Sequence, residues 1–112
     1  MPTFVDDVSF DTIAREWRCK WSEDNDKKSL SEANKAIMSV LDEMKKIDGV
    51  KSVQRVICSS CHDFKVIIAL HHDKFGPWVE GKFAPEEAVL AKLKEIDGIS
   101  TIETQSYALT PM

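Results

Sequence analysis

The strings MKKIDGVKSVQ (44–54) and LKEIDGISTIE (93–103) are two copies of one unit: a basic, apolar helix end, the tripeptide Ile-Asp-Gly, and a β-branched stretch. Glycine adopts the left-handed backbone conformation that stops a helix at little cost, so Gly49 and Gly98 mark two helix ends. A helix–turn–strand unit that occurs twice in 112 residues divides the chain into two halves of similar build. That length suits one domain with one core.

Helical and strand periodicities fill in the rest. Ser29 and Glu32 have the spacing of a capping box, and Ala33, Ile37, Val40, Leu41, Met44 and Ile47 follow as one helical stripe. A second helix is predicted to open at Pro85, with Glu86 and Glu87 beside its positive end and a stripe of Val89, Leu90, Leu93 and Ile96. TIAREWRCKW (12–21) alternates, with Ile13, Trp17, Cys19 and Trp21 on one side and Ala14, Glu16, Arg18 and Lys20 on the other. SVQRVIC (52–58), FKVIIALHH (64–72) and STIETQSYAL (100–109) are three more strands, the first two forming a hairpin. The order β-α-β-β-α-β is that of a ferredoxin-like plait, an α+β fold. It predicts a four-stranded antiparallel sheet in the order 4-1-3-2 with both helices on one face. Residues 12–112 make the domain, preceded by a loosely attached arm over 1–11; 22–28 reads as a solvated loop and 73–84 as a long loop.

Composition narrows the function classes. Apolar residues make up 43% and charged residues 30%, as in an ordinary globular chain, and the net charge is −4 with both signs interspersed. No clustered basic face is present to attract phosphates, so nucleic acid is not an expected partner. The longest apolar run, Val66–Leu70, is too short to span a bilayer, so no membrane is expected either. Acids in MPTFVDDVSF stand where a signal peptide carries basic and apolar residues. The expected compartment is the cytoplasm, or an organelle lumen after removal of a transit peptide, rather than the exterior. The three cysteines are expected as thiols.

Three groups of residues carry candidate chemistry. Cys58-Ser-Ser-Cys61-His62 matches the string that attaches a c-type haem. It also holds three of the four ligands that zinc takes; Cys19 points toward the helices and His71 and His72 lie at the far end of their strand, so a fourth would come from an acid such as Asp63 or from a second chain. The preferred reading has no cofactor: Ser59-Ser60 turn the hairpin, Cys61 packs as a small apolar residue and Cys58 belongs to the strand. On the sheet face without helices, strand parity gathers Glu16, Arg18, Lys65, His71, Glu103, Gln105 and Tyr107. There His71, Tyr107 and Glu16 or Glu103 are candidate acid–base groups, while Arg18, Lys65 and Gln105 are candidate ligand contacts. His72, of opposite parity, reads as a core-edge residue. The third group is Phe75, Trp78 and Phe83 in the 73–84 loop, a candidate docking surface for a protein partner.

The plait with polar residues and one histidine on its open face resembles the dimeric α/β-barrel group, over Thr12–Leu109. That resemblance implies a homodimer or higher oligomer whose sheets close face to face around a pocket for a small molecule. It leads to a small binding or auxiliary protein, or to an enzyme acting on a small molecule by acid–base chemistry. KWSEDNDKKSL (20–30) and Asp48-Gly49 are similar to the guanine-exchange domain of elongation factor 1-beta, which implies an acidic plait that docks on a protein partner.

Overall fold

The computed structural model describes residues 2–112. The chain runs β1 (Thr3–Val5), β2 (Val8–Ser9), β3 (Thr12–Lys20), α1 (Asp24–Met38), α2 (Leu41–Lys45), β4 (Val50–Ile57), β5 (Asp63–His71), α3 (His72–Glu80), α4 (Glu86–Lys94) and β6 (Ser100–Leu109). Four strands form an antiparallel sheet in the order β4-β5-β3-β6, which is the 4-1-3-2 plait once β1 and β2 are set aside. Helices cover one face. Between them and the sheet, Trp17, Phe64, Val66, Ile68 and Leu70 meet Ala33, Ile37, Met44, Val89 and Leu93. Both predicted helix stops are left-handed glycines, Gly49 at φ +84° and Gly98 at φ +94°. Gly98 also lies where a Cβ would come within 3.0 Å of the Ser29 side chain, so the turn packs against α1.

Several elements depart from the sequence reading. The expected first helix is two. Ser39 donates its hydroxyl to the Ala36 carbonyl at 2.7 Å, a local bond that competes with continuing the helix, and α2 restarts at Leu41. The solvated stretch 22–28 is exposed at Glu23–Lys28, but from Asp24 it already belongs to α1 as a left-handed turn through Asn25, Asp26 and Lys27. Ser29 therefore lies inside the helix. Instead of capping it, the Ser29 hydroxyl accepts the Ser22 backbone N–H at 2.9 Å. Of the arm expected over 1–11, Met1 lies outside the described residues, and Thr3–Ser9 form a small hairpin of β1 and β2. Phe4 stacks on Phe10 at 4.6 Å, and Phe10 meets the edge of His72, which is half-buried.

The largest correction concerns 73–84. Most of that stretch is helix α3, and Phe75 and Trp78 are buried in the core, 9% and 8% exposed. Phe83 packs against both, at 5.9 and 5.2 Å between ring centroids, and the Trp78 indole donates to the Ala84 carbonyl at 3.0 Å. These three aromatics are turned inward and present no docking surface. Gly76 and Pro77 suggested a loop, yet the i, i+3 pair Phe75 and Trp78 gives the helix a buried face that outweighs the weak local propensity.

Candidate functional site on the open sheet face

Strand alternation decides which side chains meet on the face without helices. Trp17 and Cys19 enter the core, and Arg15 reaches α4, so Ala14, Glu16, Arg18 and Lys20 point the other way. Burial pushes the Cys19 thiol up to about 11, which leaves it an inert core residue. Pairing of Glu16 with Gln105 and Ile67, and of Ala14 with Tyr107 and Ala69, places these residues in adjacent rows.

Glu16 is the centre of the face. It is 3% exposed although no helix lies above it, because its neighbours fold over it. The Tyr107 hydroxyl donates to Glu16 Oε1 at 3.0 Å and the Gln105 amide donates to Oε2 at 3.1 Å. Arg18 approaches the same carboxylate at 3.5 Å and Asp63 at 3.7 Å, while Lys20 pairs with Asp63. The charged ladder of β3 is thus paired within the chain. The Lys20 hydrogen bond, with Arg18 and Lys65 nearby, holds the Asp63 carboxyl below the usual aspartate value. Burial, and then the hydrogen bond to the Glu16 carboxylate, pushes the Tyr107 phenol up to about 12. The result is an anionic acceptor touching a phenol that keeps its proton, with an arginine beside them. Such a cluster can bind an anionic or hydrogen-bonding ligand and can relay a proton.

The structure does not bring His71 to this cluster. His71 pairs with Thr12 at the far end of the face, donates from Nδ1 to the Asp73 carboxylate at 2.6 Å and lies 4.7 Å from His72. Its hydrogen bond holds the Asp73 carboxyl low. Lys51 closes off that end by reaching across β5 to the Thr12 hydroxyl at 2.6 Å. The reason is register: His71 and Tyr107 lie on strands either side of β3, opposite Thr12 and Ala14, and Glu16 is further along. Glu103 faces Arg18 and Lys65 lies opposite Arg18, both on the rim.

At the hairpin tip, Cys58 and Cys61 are bonded to each other as a disulfide. This replaces the expected thiols and the packed Cys61, which is exposed. In that bond neither sulfur is a thiol. His62 is turned aside as well, with its ring 4.7 Å from Trp21 and Nε2 3.2 Å from Glu23. Among the described residues, no group of three His, Cys, Asp or Glu side chains is placed to hold a metal ion. Among the described residues, no helix is long and apolar enough to cross a membrane.

Two features escaped the sequence reading. Arg15 forms a network between sheet and helix: Nε donates to Glu86 at 2.8 Å, its other nitrogens to Ser106 at 3.0 Å and Thr104 at 2.9 Å, and its guanidinium lies 4.0 Å from the centre of the Phe83 ring. The Trp17 indole donates to the same Glu86 oxygen at 2.8 Å. A charged residue at an inward strand position was the available signal. The second is a cleft of about 320 Å³ between α1 and the edge strand β4, lined by Ile37, Met38, Leu41, Val53 and Val66 with Asn34 and Arg55 at its mouth. Met38 and Leu41, apolar residues bordering the helix break, were its signal.

A four-stranded antiparallel plait with helices on one face makes the chain a ferredoxin-like α+β domain. Solved structures share this fold along nearly their whole length. SnoaB, a cofactor-independent oxygenase from Streptomyces nogalater, is 12% identical with a TM-score of 0.62, covering 91% of this chain and 96% of its own. A Deinococcus radiodurans protein assigned as an antibiotic biosynthesis monooxygenase is 13% identical with a TM-score of 0.63, covering 89% of this chain and 94% of its own. A conserved protein from Methanosarcina mazei is 10% identical with a TM-score of 0.64, over 90% of this chain and 95% of its own. At these identities the likeness is one of fold. No family model and no curated protein matches the sequence.

Proposed function

We propose that the protein is a small-molecule-binding homodimer in which the open faces of two sheets pack together and Glu16, Arg18, Gln105 and Tyr107 form the polar floor of the enclosed pocket. The observation that carries this reading is the burial of Glu16 on a face that no helix covers. A carboxylate with two donors and an arginine is an organised polar site, with apolar side chains beside it. Ile67, Ala14 and Ala69 lie next to it, and Val56 and Leu109, 38% and 39% exposed, extend the apolar surface toward both edge strands. A second copy of the same face would cover that surface by two-fold symmetry. Arg18 suits a ligand with an anionic group.

Light scattering on the eluting protein tests the assembly. The native chain should elute as a dimer. Ile67→Arg, which puts a charge at the centre of the face, should give a folded monomer, while Val79→Arg on α3 should leave the dimer intact. A native monomer would overturn the reading. Small aromatic carboxylic acids titrated into isotopically labelled protein then locate the pocket: amide shifts should centre on Glu16, Arg18, Gln105 and Tyr107. Shifts centred instead on Ile37, Met38 and Val53 would move the site to the α1–β4 cleft.

A second reading is favoured by the 3.0 Å bond between Tyr107 and Glu16. Glu16 as base and Tyr107 as acid could move a proton on a bound small molecule without a cofactor, and the fold is shared with a cofactor-independent oxygenase. Glu16→Gln would then abolish turnover while the dimer persists.

A further inference from the structure

The Cys58–Cys61 bond plays no part in the open-face pocket, and its surroundings are asymmetric in a way that matters for thiol chemistry. We infer that it is a reversible thiol–disulfide exchange site for a small thiol such as glutathione, with Cys61 the sulfur that is attacked and Cys58 the sulfur that leaves. Cys61 is exposed and Cys58 is half-buried, so an incoming thiolate reaches Cys61 first. Around Cys58 Sγ, the Cys61 backbone N–H donates at 3.2 Å and the Ser60 hydroxyl is 3.5 Å away; a disulfide sulfur carries no hydrogen, so the hydroxyl is the donor. Both donors stabilise negative charge as the bond breaks toward Cys58. Cys61 Sγ instead lies 3.4 Å from Asp63 Oδ2, beside which a departing thiolate would be disfavoured.

The exchange balances as follows. A glutathione thiolate attacks Cys61 Sγ, forming a mixed disulfide there, and the electron pair of the broken bond leaves on Cys58. A second glutathione thiolate attacks the glutathione sulfur of that mixed disulfide and releases oxidised glutathione, and Cys61 takes a proton from water. The protein gains two electrons and two glutathiones lose them.

The tip is braced from outside the cysteine pair, so opening the bond leaves the thiols in place for reclosure. Trp21 N–H donates to the His62 carbonyl at 3.0 Å, and the Lys20 ammonium to the Cys61 carbonyl at 2.9 Å. Cys58 N–H and the Trp21 indole both donate to the Asp63 carbonyl, at 3.0 and 3.2 Å. The two α-carbons, 5.6 Å apart, are thereby held at ordinary disulfide spacing.

The test uses the oxidised full-length protein, exposed to glutathione, quenched with acid at intervals and mapped by peptide mass spectrometry. Mixed disulfide on Cys61 should exceed that on Cys58 by about tenfold, then give way to the dithiol, and oxidised glutathione should restore the bond. Cys19, 2% exposed, should stay unmodified. Glutathione found equally or mainly on Cys58, or a bond that survives excess glutathione, would overturn the inference. Ser60→Ala, which keeps the turn but removes one donor to Cys58 Sγ, should slow opening by about fivefold with an unchanged dichroism spectrum. An unchanged rate would overturn the assignment of Cys58 as the leaving sulfur.

Discussion

Tyr107 is the single tyrosine of the chain, which makes the state of the open-face cluster directly visible. Its tyrosinate absorption band should appear with a midpoint of about 12 instead of the ordinary 10.0, chiefly because the phenol is removed from water and then because it donates to Glu16. In Glu16→Gln the midpoint should fall back toward the ordinary value; a midpoint unchanged by that substitution would mean that the hydrogen bond contributes nothing. The sign for stability follows. A phenol whose folded value is raised contributes fully below its unfolded value, so stability should decline as pH rises through 10.0 toward about 12, and Tyr107→Phe should flatten that decline. Glu86 offers a different single-residue test. Its carboxylate holds both Arg15 and Trp17 while only 12% of the side chain is exposed. Removing it in Glu86→Ala strands a mostly buried guanidinium and should cost about 3 kcal/mol in urea denaturation. A loss below about 1 kcal/mol would show that Thr104 and Ser106 alone suffice for Arg15.

Helix α3 shows how an element can be misread from its punctuation. Gly76 and Pro77 are strong local breakers, but the only backbone bond that Pro77 forfeits is one toward the first turn of α3, and the aromatic face of the helix fills the core edge. Trp78 is therefore a packing residue. Trp78→Ala should lower stability by about 3–5 kcal/mol, seen as a reduced urea midpoint, with no separate loss of function at temperatures where the variant remains folded. Loss of a binding partner in a variant of native stability would restore a docking role. The β4–β5 hairpin was located correctly by its flanking strands, and Ser59-Ser60 do turn the chain. The covalent state of its cysteines could not be read from spacing, since CxxC at a turn is compatible with thiols, metal or a disulfide.

Across the molecule, the sheet order β4-β5-β3-β6 leaves one face to be covered by helices and one without. Strand parity alone assigned the residues of the uncovered face correctly, because the side-chain period of a strand is two and Trp17 and Cys19 point inward. That put Glu16, Gln105 and Tyr107 together before any distance was known. It also grouped His71 with them, since parity identifies the face but not the position along it. The contact was excluded by register, with His71 opposite Thr12 and drawn to Asp73.

The order of the four sheet strands, the two glycine stops, the helix-facing stripes and the identity of the open face follow from local periodicity and backbone preference, and so were legible in the residues alone. The inward turn of Phe75 and Trp78, the Arg15–Glu86 network and the separation of His71 from Glu16 follow from folding in three dimensions. Each depends on distances between segments far apart in the chain or on the competition between local propensity and burial, and neither quantity is encoded in a window of neighbouring residues.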